Sequence, residues 1–170
     1  MFHRILVGFD GSAHSRRAIQ VAIDLAVRYH AHLTLVTVFS DRVGPADAEL
    51  AQLVPIGEDH KPLRTQLNEA QADARSKGVP DSDAVSIHGD VAEAMLEFLS
   101  VHPYDLVVVG SRGLSRRSRF FLGSVSSRLV ERAPCPVLVV RVPHRGAVRR
   151  SPSGPAAIPD RTNPDVPPRA

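Results

Sequence analysis

Two short stretches of the 170-residue chain combine glycine with residues able to grip an anion. The longer reads Gly110-Ser111-Arg112-Gly113-Leu114-Ser115-Arg116-Arg117-Ser118-Arg119-Phe120-Phe121-Leu122-Gly123-Ser124, a Gly-x2-Gly-x9-Gly-Ser spacing. Gly110 and Gly113 permit positive φ and close approach of another group to the backbone. Gly123 and Ser124 stand where a helix can open, and the free N–H groups of a helix N-terminus attract phosphate oxygens. The hydroxyls of Ser124 and Ser126 can add hydrogen bonds. Arg112, Arg116, Arg117 and Arg119 place four cations within eight residues. Guanidinium groups match phosphate geometry, so a triphosphate suits this combination. The shorter stretch is Gly8-Phe9-Asp10-Gly11-Ser12. Asp10 could accept a hydrogen bond from a ribose or a base, or help hold Mg2+. It could equally serve as a turn or capping aspartate, just as the glycines could be turn residues and the arginines a solvated loop. Neither the Walker spacing nor the dinucleotide fingerprint is present.

The elements that must position these stretches follow from the apolar pattern. Residues 5–9 form a short apolar run and are expected as a buried strand. Ser12 is a good cap for a helix reaching about Tyr29, with Ala18, Val21, Ala22, Leu25 and Ala26 on one face. Residues 33–39 are rich in β-formers and make a second strand. Residues 40–61 hold Gly44, Pro45, Pro55 and Gly57 and predict a mobile connection with a short helical turn near residues 48–53. A helix over 63–76 is stopped by Gly78. Residues 84–88 predict a strand. Asp90 caps a helix from 91 to about 102 that buries Ala92, Met95, Leu96 and Leu99. Residues 105–110 are the clearest buried strand. A helix over 124–133 and a strand over 137–140 complete the set. Alternating strands and helices, with continuous apolar strands, imply an α/β fold: a five-stranded parallel sheet in a three-layer, Rossmann-like arrangement. Ligands of such sheets bind beyond the carboxyl ends of the strands, where both glycine stretches lie.

Composition removes other classes. The pI of about 9.6 suggests nucleic acid, but residues 1–142 carry 16 basic and 16 acidic side chains, so the excess of +3 sits in residues 143–170. A neutral body argues against a nucleic-acid-binding domain. No apolar run nears the ~20 residues of a membrane helix, and the N-terminus has no signal-peptide organisation. A cytoplasmic location is expected. The one cysteine, Cys135, excludes an internal disulfide and reads as a small apolar residue at a strand entrance. His30 and His32 read as surface residues, and no histidine has metal-ligand spacing. Seven prolines in residues 143–170 predict a disordered tail after a single domain of residues 1–142.

The segments Ile5-Leu6-Val7-Gly8-Phe9-Asp10-Gly11-Ser12, Val107-Val108-Val109-Gly110-Ser111-Arg112-Gly113, Leu122-Gly123-Ser124-Val125-Ser126 and Ala133-Pro134-Cys135-Pro136-Val137-Leu138-Val139-Val140-Arg141 together resemble the universal stress protein family, UspA type, in its ATP-binding branch. The resemblance covers residues 2–142. It implies ATP binding in an adenine nucleotide alpha hydrolase-like fold of strand order 3-2-1-4-5. Carried over by motif, Gly8, Phe9 and Asp10 would line the adenine and ribose side, with Val38 near the adenine. Val109, Gly110 and Gly113 would pass close to ribose and phosphates, and Gly123, Ser124, Val125 and Ser126 would hold the phosphates. It also implies a homodimer through residues 137–140. Gly8 and Phe9 depart from the residues of some relatives. A nucleotide-dependent regulator acting on a protein partner is the leading expectation, because no residue is placed to activate a water. A slow ATPase, or self-phosphorylation at Ser111, Ser115 or Ser118, is the alternative.

Overall fold

A computed structural model of the chain describes residues 1–39, 63–113 and 122–142. The elements run β1 (Arg4–Gly8), α1 (Ala13–Tyr29), β2 (His32–Phe39), α2 (Leu63–Ser76), β3 (Ser82–His88), α3 (Val91–Val101), β4 (Leu106–Gly110), α4 (Ser124–Arg132) and β5 (Val137–Val140). The strands form one sheet of order β3-β2-β1-β4-β5, with every pairing parallel. The connection and helical turn expected within residues 40–61, and the tail beyond residue 142, lie outside the described residues.

Alternation within the strands assigns each side chain to a layer. Ile5, Val7, Leu33, Leu35 and Val108 face one side, where Ile19 and Ile23 of α1 and Leu67 of α2 close over them. Leu6, Val36, Val107 and Val109 face the other, beneath Met95 and Leu99 of α3 and Leu129 of α4. Burial on both faces explains why β1 and β4 carry continuous apolar runs rather than alternating ones. Helix ends obey local chemistry. The Ser12 hydroxyl accepts from the Ser15 N–H at 3.1 Å, and Asp90 accepts from Glu93 N–H at 3.3 Å. Gly78, at φ +97°, takes the left-handed turn after α2 that a side chain would resist.

Two expectations need correction. β3 begins at Ser82, two residues before the apolar run, because its Ser82 and Asp83 pair with Leu33 and Thr34 of β2. His32 is half-buried rather than freely exposed: its side chain is 21% exposed, with Nε2 3.0 Å from an Asp83 oxygen and Nδ1 3.5 Å from the Thr34 hydroxyl. The Tyr104 hydroxyl donates to Thr34 at 3.0 Å, extending this network beneath the sheet.

The start of β1 is tied to the turn before β4. One Asp105 oxygen accepts from the His3 N–H at 2.6 Å and the Arg4 N–H at 2.8 Å, and the Asp105 N–H donates to the Arg4 carbonyl at 2.9 Å. The His3 N–H, then the Arg4 N–H, hold the Asp105 carboxyl below its ordinary value of 3.8. A depressed folded-state value contributes stability above the unfolded value and loses it as pH falls through the folded one. Asp105→Asn should therefore melt below the parent chain near neutral pH, and the gap should narrow below about pH 4, as thermal melts across pH will show.

Candidate functional site

A cleft of about 410 Å³ opens over the carboxyl ends of β2, β1 and β4. β1 pairs with β2 on one side and β4 on the other, and the chain leaves in opposite directions from the two. This is the switch point of a doubly wound sheet, where the loops diverge and leave a crevice. Its volume falls in the range of small-molecule sites, about 300–1,000 Å³. Gly8, Phe9, Asp10, Val38, Val109, Gly110, Arg112, Gly113, Gly123, Ser124, Val125 and Ser126 all line it. These residues of the two glycine stretches, with Val38, thus reach one cavity. Arg116, Arg117 and Arg119 lie outside the described residues, as do Ser115 and Ser118.

The two loops are built against each other. Asp10 Oδ1 accepts from the Ser12 N–H at 2.9 Å. A Cβ added at Gly113 would meet the other Asp10 oxygen at 2.7 Å. The Ser12 hydroxyl donates to the Arg112 carbonyl at 3.4 Å. Gly110 lies on the first turn of α1, where a Cβ would stand 2.8 Å from the His14 carbonyl carbon. Among the described glycines, positive φ occurs at Gly11, Gly78 and Gly89, not at Gly110 or Gly113. Of the two reasons glycine could stand at those positions, close approach applies and positive φ does not.

One end of the cleft is the start of α4. Gly123 is the N-cap, with no side-chain cap bond and no acid in the first turn. Its N–H donates to the Ser111 carbonyl at 2.9 Å, which ties the helix start to the β4 loop. Ser124 is exposed at the cleft. The Ser126 hydroxyl is turned inward, donating to the Gly123 carbonyl at 2.9 Å, and the residue is 3% exposed. The Ser126 hydroxyl thus supports the helix start in this structure, and the residue also lines the cleft. Ser111 is equally buried at 3%. The opposite end is apolar, walled by Val36, Val38, Val91, Met95 and Val109. The Phe9 ring points away from it into the core, 4% exposed, with the Arg16 guanidinium 6.0 Å from its centre.

Sequence reasoning missed Ser15, Val36, Leu63, Val91 and Met95. Ser15 accepts from the Asp10 N–H at 3.4 Å and donates to the Ser12 carbonyl at 3.0 Å, stiffening the Asp10 loop. A serine three residues after a serine cap is the signal that could have found it. Cys135 is half-buried against the α3–α4 layer, and burial, then the nearby Asp105 charge, pushes its thiol up. That disfavours the thiolate, in keeping with a packing role.

A parallel sheet of order 3-2-1-4-5 with a two-ended cleft at its switch point defines the class: a doubly wound α/β domain with a cleft at the carboxyl ends of its strands. A profile of the universal stress protein family (Usp) matches residues 1–141. A Thermus aquaticus protein described as a universal stress protein in a QAH/OAS sulfhydrylase 3' region is 38% identical over 143 residues, spanning 83% of this chain and 100% of its own. The chain belongs to the universal stress protein family. Among solved structures, the universal stress protein UspA from Lactobacillus plantarum is 29% identical with a TM-score of 0.67, covering 82% of this chain and 97% of that one. A universal stress protein solved in complex with cAMP is also 29% identical, with a TM-score of 0.63 and the same 82% and 97% coverage. No helix among the described residues is long and apolar enough to cross a membrane.

Proposed function

We propose that this cleft binds ATP and that the chain works as a nucleotide-dependent regulator in a stress response in the cytoplasm. The carrying observation is the pairing of two unlike ends in one cavity: an apolar end at Val36, Val38 and Val109, and an uncapped helix start at Gly123–Ser126 facing Gly110–Gly113. A flat base suits the first. Phosphate oxygens suit the second, where backbone N–H groups and the helix dipole converge beside Arg112. Between them Asp10 would meet the ribose or a Mg2+ ion carried by the phosphates. The relative in complex with cAMP supports an adenine nucleotide as the ligand class. The preference for a triphosphate rests on the helix start and the arginines, since a cyclic monophosphate needs neither to this extent.

β5 supports a homodimer. Among the described residues it lies at the end of the sheet and pairs only with β4, and its Leu138 is 36% exposed. An open apolar edge seeks a partner strand. ATP bound across the two loops would then hold one arrangement of the cleft for a protein partner to read.

Calorimetry of nucleotide-stripped protein against ATP, ADP, AMP and cAMP tests the reading. ATP should bind most tightly, and at about 100 times Kd should stabilise the fold by roughly 2.7 kcal/mol. Light scattering on the same samples should return twice the chain mass, and labelled ATP should remain intact. Absence of both heat and thermal shift with ATP would overturn ATP binding; tighter binding of cAMP would reassign the ligand.

A further inference from the structure

The apolar end of the cleft has a wall that does not belong to either glycine loop. Met95 comes from α3, and its side chain reaches the sheet because Gly8 has none. A Cβ at Gly8 would stand 3.3 Å from Met95 Cε, 3.7 Å from Met95 Sδ and 3.3 Å from Val109 Cγ1. The thioether tip therefore occupies the space beside a bare strand end. Met95 is 3% exposed and lines the cleft with Val36, Val38, Val91 and Val109. Its position on α3 is anchored one turn earlier by the Asp90 cap, and Leu96 and Leu99 bury the same helix in the core.

We propose that Met95 is the residue that sets which base this cleft accepts, with Gly8 as the space that admits its tip. The proposal rests on the nucleotide reading above and adds a specificity determinant to it. A wall of valines would be rigid, since β-branched side chains have one strongly preferred rotamer. Methionine is unbranched and polarisable, fills irregular gaps and yields to a neighbour. The base end is thus closed by an adaptable plug, and its depth is set by a contact between a helix and a glycine. A side chain at position 8 would push the tip toward the cavity and shorten the slot. Removal of the tip would lengthen it.

Calorimetry on the full chain and three variants, Gly8→Ala, Met95→Ala and the double variant, tests this with ATP and two enlarged analogues, N6-benzyl-ATP and 2-methylthio-ATP. One methylene in a hydrophobic slot changes discrimination by about 10-fold or more. Gly8→Ala should weaken ATP binding about tenfold, and adding Met95→Ala should restore it to within about threefold of the parent. Met95→Ala alone should shift preference about tenfold toward at least one enlarged analogue. Thermal melts establish that each variant is folded, and if Gly8→Ala is not, the analogue preference of Met95→Ala decides alone. Unchanged preference for both analogues overturns the proposal. So does a loss in Gly8→Ala that Met95→Ala fails to reverse. If the parent chain binds no ATP, the nucleotide reading itself fails, and that is seen before any variant is measured.

Discussion

Gly110→Ala is expected to cost the fold about 3 kcal/mol, the largest stability loss of any single methyl addition in the cleft. The added Cβ would lie 2.8 Å from the His14 carbonyl carbon, 2.9 Å from His14 Cβ and 2.9 Å from the Ser15 nitrogen. Two of these are backbone atoms of the first turn of α1, so no rotamer change relieves the contact. The helix cannot retreat easily, because Ala18, Ile19, Ala22 and Ile23 are at most 2% exposed in the core beneath it. β4 cannot retreat either, since Gly110 is in register with Val140 and Ser111 N–H donates to the Val140 carbonyl at 2.7 Å. Overpacking costs about 1–3 kcal/mol where side chains can adjust, and a backbone clash belongs at the upper end. In a domain of this size the melting temperature should fall by about 10 °C. A fall of less than about 3 °C would show that α1 and β4 are not locked together here.

The inner strands were legible because burial on both faces writes itself as apolar runs: Ile5 to Val7 and Val107 to Val109 each read as a strand and each is one, while the apolar run Val137 to Val140 also forms a strand, at the end of the sheet. The cleft was legible because its loops follow those strands and carry glycine, aspartate and arginine in short compass. What stayed hidden depended on tertiary distance. Met95 falls on the buried face of its helix with Ala92, Leu96 and Leu99, and periodicity cannot tell a core contact from a cleft wall. The clue lay 87 residues away, in a strand end without a side chain at Gly8. The early start of β3 was hidden for a similar reason. Asp83 is a poor β-former, but pairing with Thr34 of β2 decides its conformation. The inward turn of the Ser126 hydroxyl also lay beyond sequence, since a serine in the first turn of a helix can face a ligand or bond back to the cap carbonyl.

Gly113→Ala should give the reverse profile: near-parental stability with ATP binding weakened about 30-fold. The Cβ would meet Asp10 Oδ2 at 2.7 Å, with the next contact, Asp10 Cγ, at 3.9 Å. Gly113 is exposed and Asp10 only half-buried, so a small shift of the carboxylate or the loop relieves the clash at a cost of about 1 kcal/mol or less. The site does not share that tolerance. Asp10 is held by the Ser12 N–H at 2.9 Å, and its displacement misaligns the one carboxylate that lines the cleft among the described residues. Losing a charged hydrogen bond together with its alignment is worth about 2 kcal/mol, which is the expected factor. The clash predicts non-additivity. Asp10→Ala should itself weaken ATP binding, but Gly113→Ala should then cost no more than about threefold further, because the oxygen it would strike is gone. A full 30-fold loss in the Asp10→Ala background would place the fault in the Gly113 backbone instead of in the carboxylate. Calorimetry of the four proteins, with melting temperatures measured alongside, separates the two causes. The same loop would then hold two glycines of different purpose: Gly110 for the seat of β4 on α1, and Gly113 for the room that the Asp10 carboxylate needs to face a ligand.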